Sequence, residues 1–255
     1  MRVWIARFAA WAATAWLLAA PAGAQEAVDL ELVLLADATG SIDQAEIEFQ
    51  REGYAVAITD PSMVHAMTSG PLGRVAVVYV EWADAASQQV VADWTVIDGP
   101  EAAARFAGAL LGPPRQAYGR NAIGAALLFG KALIEGNAYD GTRKVLDLSA
   151  DSANNWNGPS IEEARADVLA AGISINGLAV LCRSCSGRPI SYDLEQAFAD
   201  RIIGGPASFV VTADDAASFA NAVRRKLLLE VSGVTPEAPV RHADAGSLSE
   251  RRPPR

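Results

Sequence analysis

The sequence predicts an α/β domain with a doubly wound, mostly parallel sheet, helices on both faces and one antiparallel edge strand. Three observations support this fold class. Apolar runs of strand length alternate with segments of helical spacing, which is typical of parallel sheets covered on both sides. The 255 residues are 51% hydrophobic, enough for one sizeable core. The sequence shows no internal repeat, as expected for a single domain of this kind.

The two ends of the chain have different compositions from the middle. Arg2 and Arg7 precede an apolar run, Phe8–Ala20, and Pro21–Ala24 ends in the small-x-small pattern that signal peptidase cleaves. We therefore expect residues 1–24 to be a signal peptide and the mature protein to be exported, to the periplasm or outside the cell. Residues 232–255 are rich in Pro, Ser, Ala, Arg and Glu without periodicity, and we expect a disordered tail. The folded domain is predicted over 25–231.

The first half of this domain is predicted to contain three strands and three helices. Continuous apolar residues indicate two buried strands, whereas the more polar third strand is expected at an edge. Pro100 begins the last helix of this half, and Gly112 ends it. In chain order, the predicted elements are a strand at Val28–Ala36, a helix at Gln44–Ile58, strands at Arg74–Trp82 and Gln88–Ile97, and a helix at Pro100–Leu111. A further helix is expected after Pro61, around His65.

The second half continues the alternation of helix and strand. Gly172 is a typical residue to end the middle helix. In chain order, the predicted elements are a helix at Ala122–Ile134, a strand at Lys144–Ala150, a helix at Ser160–Ala171, a strand at Ile173–Leu181, a helix at Asp193–Ile203, a strand at Ser208–Thr212 and a helix at Asp214–Glu230.

Net charge and hydropathy exclude two classes of partner. The formal charge is −9, so the protein should repel nucleic acid and anionic lipid surfaces. After the signal peptide no stretch of about 18 apolar residues remains, and no membrane span is expected in the mature chain.

The first predicted strand ends in a cluster of hard oxygen ligands. Its sequence, LELVLLADATGS, places the carboxylate of Asp37 and the hydroxyls of Thr39 and Ser41 at alternate positions. In doubly wound sheets, ligands bind where the carboxyl ends of strands one and four meet. Asp151 follows the fourth predicted strand, so the two carboxylates should be neighbours. They repel one another unless a cation lies between them, and oxygen ligands suit Mg²⁺, with Mn²⁺ or Ca²⁺ as alternatives.

These residues resemble the metal-ion-dependent adhesion site (MIDAS) of the von Willebrand factor type A (vWA) domain, a Rossmann-like fold. Asp37-Ala-Thr-Gly-Ser41 stands for its Asp-x-Ser-x-Ser motif, and Asp151 for its aspartate after strand four. Asn121, in the Gly119–Gly124 segment, stands where the family has threonine. Phrases such as GRVAVVYVEW and RKVLDLSAD resemble the exported bacterial DUF1194 family.

The resemblance implies a divalent cation held by Asp37, Thr39, Ser41, Asn121 and Asp151. It also implies an unidentified partner protein that adds an acidic side chain to the cation. The residues alone leave other interpretations open. Asp37, Ser41 or Asn121 could cap a helix, and Asp151 could belong to an ordinary polar turn.

Two neighbouring residues are candidate contacts for a partner protein. Trp156 and Asn155 follow Asp151 on the same predicted loop. An exposed tryptophan beside a metal site would anchor an interface, whereas a tryptophan folded back onto the sheet edge would not.

Cys182 and Cys185 are the two cysteines of the chain and follow the fifth predicted strand. Export favours a disulfide, and a turn-like sequence after Cys185 argues against a thioredoxin-type pair at a helix start. We expect a local disulfide; a redox pair, a free dithiol and a metal clip are the alternatives.

The motifs favour a binding protein over an enzyme. His65 and His242 are the only histidines, and the chain lacks a Walker A loop and a dinucleotide fingerprint. The predicted function is cation-dependent protein–protein interaction. One alternative is a metal-assisted hydrolase that uses Glu81 as its base, and the other is a scaffold that binds partners without metal.

Overall fold

The computed structural model describes residues 25–181, 191–213 and 216–233, with only the backbone given for 216–218. The strands of this part are β1 Glu26–Asp37, β2 Val75–Trp82, β3 Gln88–Ile97, β4 Tyr139–Ala150, β5 Ser174–Val180 and β6 Val210–Ala213. The helices are α1 Gln44–Thr59, α2 Pro61–Thr68, α3 Pro100–Leu111, α4 Ile123–Glu135, α5 Ile161–Ala170, α6 Leu194–Arg201 and α7 Ala216–Ser232.

The strands form one sheet with the order β3-β2-β1-β4-β5-β6. Only the β2–β3 pair is antiparallel, which confirms the predicted fold class and the edge position of β3. β1 lies at the centre and pairs in parallel with both β2 and β4. Leu35 of β1 is level with Leu148 of β4, so the carboxyl ends of these two strands lie side by side.

Alternate residues of β1 face two hydrophobic cores on opposite sides of the sheet. Leu30, Leu32 and Leu34 belong to the core that α1, α2, α3 and α7 cover. Val33 and Leu35 belong to the core that α4, α5 and α6 cover. Full burial of an aliphatic side chain stabilises a fold by about 1.5–3 kcal/mol, so the central strand is held from both faces.

Strand β4 begins five residues earlier than its apolar pattern predicts, at Tyr139 instead of Lys144. Its polar first half pairs with β1, where the buried carboxylate of Glu31 accepts hydrogen bonds from Gly141 N at 2.7 Å and Asn137 Nδ2 at 2.6 Å. The prediction of β4 relied on a run of apolar residues. It missed the start of the strand because this part is polar and is fixed by hydrogen bonds to the buried carboxylate of Glu31.

Two other predictions at the chain ends have different outcomes. Helix α7 extends to Ser232, the first residue assigned to the tail, so that boundary was too early. The signal peptide, Cys182, Cys185 and the tail beyond Gly233 lie outside the described residues, and their predictions stand as predictions. Within the described part of the chain, no helix has the length and apolar character needed to cross a bilayer.

A buried ion cluster joins α7 to the sheet. The ammonium of Lys226 lies 2.5 Å from a carboxylate oxygen of Glu230 and also pairs with Asp147 on β4. All three side chains are almost completely buried. The two carboxylates raise the pKa of Lys226 against the opposing effect of burial, so this lysine stays charged.

Replacing Lys226 by methionine should therefore destabilise the fold strongly. The variant leaves two carboxylates buried without their cation, and breaking a buried pair costs about 3–5 kcal/mol. The measurement is the free energy of unfolding in denaturant. Lys131→Met is the matched control, because Lys131 also pairs with two carboxylates, Glu135 and Asp167, but on the protein surface. Equal losses in the two variants would contradict a special role for the buried cluster.

Candidate metal centre

The loop after β1 folds its polar side chains toward one another. Asp37 ends the strand, is almost completely buried, and accepts a hydrogen bond from Thr39 N at 2.8 Å. The hydroxyl oxygens of Thr39 and Ser41 lie 3.1 Å apart. Helix α1 is capped by Asp43, whose capping box with Glu46 satisfies the first turn. Asp37 and Ser41 are therefore not the helix caps that their sequence position allowed.

Asp151 lies beside Asp37, as the strand order predicted. Its backbone N–H donates to Asp37 Oδ2 at 3.4 Å. Burial, and then the charge of Asp151, raise the pKa of Asp37 to about 7. Burial likewise raises the pKa of Asp151, although a hydrogen bond with the Ser41 side chain opposes this effect. Burial disfavours the charged form of both carboxylates, and the charge of Asp151 adds to this effect at Asp37.

Asn121 is held by the loop that carries Asp151. Its Nδ2 donates to Ser152 Oγ at 3.2 Å, and its backbone oxygen accepts from Trp156 N at 2.8 Å. Ala122, not Asn121, is the N-cap of α4, and it makes no side-chain cap. Asn121 Oδ1 has no hydrogen-bond partner among the described residues. Ser152 was missed at the sequence level, although it directly follows Asp151.

Backbone hydrogen bonds connect the three loops. Gly40 N donates to Gly119 O at 2.8 Å, which joins the β1 loop to the segment before Asn121. That segment is joined to the Asp151 loop through Trp156 N, as described above. The predicted site residues thus come from three loops that the backbone ties together.

The donor set fits a hard divalent cation. It consists of two carboxylates, two hydroxyls and an amide oxygen, the ligand types that Mg²⁺ and Ca²⁺ accept. Within the described residues no group of three His, Cys, Asp or Glu side chains is placed to hold a metal. Hydroxyl and amide oxygens must therefore complete any coordination here.

The two candidate partner contacts differ in how available they are. The side chain of Trp156 is 62% exposed, with the Arg120 guanidinium 5.4 Å from its ring centroid, so it is not folded onto the sheet edge. The Asn155 amide is engaged at both ends: Oδ1 accepts from Gly124 N at 3.1 Å, and Nδ2 donates to Pro159 O at 2.9 Å.

Two charged residues near the site, one predicted to act as a base and one not singled out by the sequence, have structural partners. Glu81, the candidate base of the hydrolase alternative, is buried, pairs with Arg51 at 2.6 Å and accepts from Gln116 N at 2.6 Å. Arg115, which the sequence analysis did not single out, donates to backbone oxygens of the β1 loop.

The strand order and the three loops are those of a vWA-like fold. Solved structures with this fold include the pilus adhesin SpaC from Lactobacillus rhamnosus GG, at 13% identity over 83% of this chain and 32% of that chain, with a TM-score of 0.56. Proximal thread matrix protein 1 from the mussel byssus, in a structure with a zinc-occupied MIDAS motif, matches at 18% identity over 82% of this chain and 47% of that one, with a TM-score of 0.55.

A von Willebrand factor type A structure from Catenulispora acidiphila matches at 18% identity over 81% of this chain and 43% of that chain, with a TM-score of 0.50. This chain spans about a third of the adhesin's length and under half of the other two. No curated protein matches the sequence. The sequence model of DUF1194, described as a protein family of unknown function, matches residues 27–235. The chain belongs to this family.

The crowded carboxylates predict a pH-dependent stability of the protein in chelator. Folding raises the pKa of Asp37 from 3.8 to about 7, so the protonated carboxyl stabilises the folded state. That contribution is complete below the unfolded pKa and is lost as the pH rises through the folded one. We expect the free energy of unfolding to fall by about 1–4 kcal/mol between about pH 5 and about pH 8.

Chemical denaturation across this pH range measures the effect, with Asp37→Asn as the control that keeps the shape and cannot titrate. The pKa of Glu230 is also raised, to about 8, but this residue titrates in both proteins. The difference between the two pH profiles therefore reports the titration of Asp37 together with its effect on Asp151. Parallel profiles would refute the assignment.

Proposed function

We propose that this protein binds a divalent cation at the centre formed by Asp37, Thr39, Ser41, Asn121 and Asp151, and uses it to engage a partner protein. The observation that carries the proposal is the contact between Asp37 and Asp151 at the ends of two central strands. A buried carboxylate, Asp37, and a partly buried one, Asp151, both with raised pKa values, are costly as a charged pair without a cation and favourable with one.

The protein's own residues would supply the ligands. The hydroxyls of Thr39 and Ser41 would bind the cation, and the carboxylates of Asp37 and Asp151 would neutralise it. Asn121 Oδ1, which has no hydrogen-bond partner among the described residues, would take the place of the threonine hydroxyl of the wider family. The bound cation would offer a coordination position to an acidic side chain of the partner. We favour Mg²⁺, because it is bound through one or two carboxylates while retaining other ligands. The zinc-occupied MIDAS motif of the mussel protein supports metal binding on this fold.

Binding without catalysis is the role that the surrounding residues support. Glu81 is paired with Arg51 and is not free to act as a base. Among the described residues His65 is the only histidine, and it lies on α2, where its side chain contacts Ser69.

We further propose that the protein is exported and acts in the periplasm or outside the cell. The leader-like residues 1–24 support this location, and the net charge of −9 disfavours nucleic acid as a partner. The partner is a protein, and Trp156 is the contact that we expect beside the cation.

Adding Mg²⁺ to the chelator-treated protein should raise its melting temperature. At about 100 times the dissociation constant the gain is about 2.7 kcal/mol, which corresponds to roughly 5–10 °C for a domain of this size. Asp37→Ala and Asp151→Ala should abolish the shift, which differential scanning calorimetry measures. Asp98→Ala is the matched control, because Asp98 is exposed just after β3, at the opposite edge of the sheet. Equal melting temperatures with chelator and with saturating metal would refute the proposal.

Replacing Trp156 by alanine should weaken capture of the partner at least tenfold without changing the affinity for the cation. Loss of an exposed aromatic anchor costs about 2 kcal/mol or more at an interface. The measurement is affinity capture from periplasmic extract, with and without chelator. Val56→Ala is the control, because Val56 is another exposed apolar residue, on α1. Capture that survives both Trp156→Ala and chelator would favour the metal-independent scaffold.

A further inference from the structure

Arg115 grips the backbone of the first ligand loop. Its Nη1 donates to Ile42 O at 2.8 Å, and its Nη2 donates to Thr39 O at 2.9 Å and to Ala38 O. Its Nε donates to Ala117 O at 2.8 Å. The guanidinium thus directs all its polar edges at backbone oxygens, and three of these oxygens belong to the loop that carries Thr39 and Ser41.

The segment that carries Arg115 is fixed in turn by a buried ion pair. Arg51 of α1 pairs with Glu81 of β2 at 2.6 Å, and both side chains are almost fully buried. Arg51 also donates to the backbone oxygens of Pro113 and, at 3.1 Å, Pro114. The second oxygen of Glu81 accepts from Gln116 N at 2.6 Å. Arg115 therefore projects from a rigid segment whose position is set by the core.

This geometry has a consequence for the cation. A backbone oxygen that accepts a bond from a guanidinium already lies beside a positive charge, so binding a second cation to the same oxygen is electrostatically unfavourable. Ala38, Thr39 and Ile42 are thereby withdrawn from coordination through their backbone oxygens. Ca²⁺ takes 6–8 oxygen ligands and commonly uses backbone carbonyls, whereas Mg²⁺ needs fewer ligands in a strict octahedron.

We propose that Arg115 is a positioning residue that holds the first ligand loop in place and makes the centre selective for a small octahedral cation over Ca²⁺. The inference rests on the proposed cation site. The direction of the change in cation affinity distinguishes this role from a simple charge effect. Removing a positive charge near a cation site should strengthen binding of every cation, whereas removing a positioning residue should weaken Mg²⁺ binding.

The test compares Arg115→Gln, Arg115→Lys and the wild-type protein by isothermal titration with Mg²⁺ and with Ca²⁺. We expect Arg115→Gln to lose at least tenfold in Mg²⁺ affinity and less than threefold in Ca²⁺ affinity, so that selectivity falls. Arg115→Lys should recover part of the loss at most, because one ammonium cannot span three backbone oxygens. Arg120→Gln is the matched control: it removes the same charge from the same segment, and Arg120 stacks on Trp156 instead of holding the loop.

The outcomes distinguish this inference from the proposed function. If the wild-type protein binds neither cation, the cation site itself is refuted. If the wild-type protein binds Mg²⁺ and Arg115→Gln keeps the same ratio of Mg²⁺ to Ca²⁺ affinity, only the role of Arg115 is refuted. Should Arg115→Gln fail to fold by circular dichroism, the ratio measured in Arg115→Lys decides, because that variant keeps the charge and loses the planar fork.

Discussion

The parallel pairing of β1 with β4 is the constraint on which the site depends. It brings Asp37 and Asp151 together at the carboxyl ends of the two strands, although they are 114 positions apart in the sequence. Neither strand is able to shift its register, because a slip of one residue would move the leucines of β1 out of one core and into the other. Burial of the apolar side chains of β1 thus stabilises an arrangement in which two carboxylates that repel one another, Asp37 and Asp151, lie close together.

The segment between α3 and α4 packs against the loops that carry Asp37 and Asp151 and completes the site. Arg51 of α1 and Glu81 of β2 fix the backbone at the start of this segment. Arg115 and Gly119, in its middle, bind the β1 loop. Asn121, at its end, contacts the Asp151 loop. Proline and glycine punctuate this segment, and it has no regular hydrogen-bond ladder of its own. Its order comes from contacts with the core and with the two ligand loops.

The sequence was sufficient for the fold and for the strand-end residues because both follow from short-range patterns. Apolar runs located the central strands, and the alternation of strands and helices implied which strand ends meet. Hydrogen bonds between polar groups that lie far apart in the sequence leave no such local pattern. The early start of β4 depends on Glu31, and the orientation of the Asn121 amide depends on Ser152. The exposure of Trp156 depends on how its loop leaves the sheet.

Arg115 shows the same limit most clearly, since a single arginine after two prolines carries no local signal. Its contact with Ala38 spans 77 positions of the chain. Forming a contact of this separation requires the entropy of closing the intervening loop to be overcome. The ligand loop therefore acquires its final shape only when the segment after α3 has docked. The Asp37–Asp151 contact spans 114 positions and also needs the pairing of β1 with β4, so a partly folded chain would hold neither the aspartate pair nor the loop geometry, and occupancy of the centre would report that folding is complete.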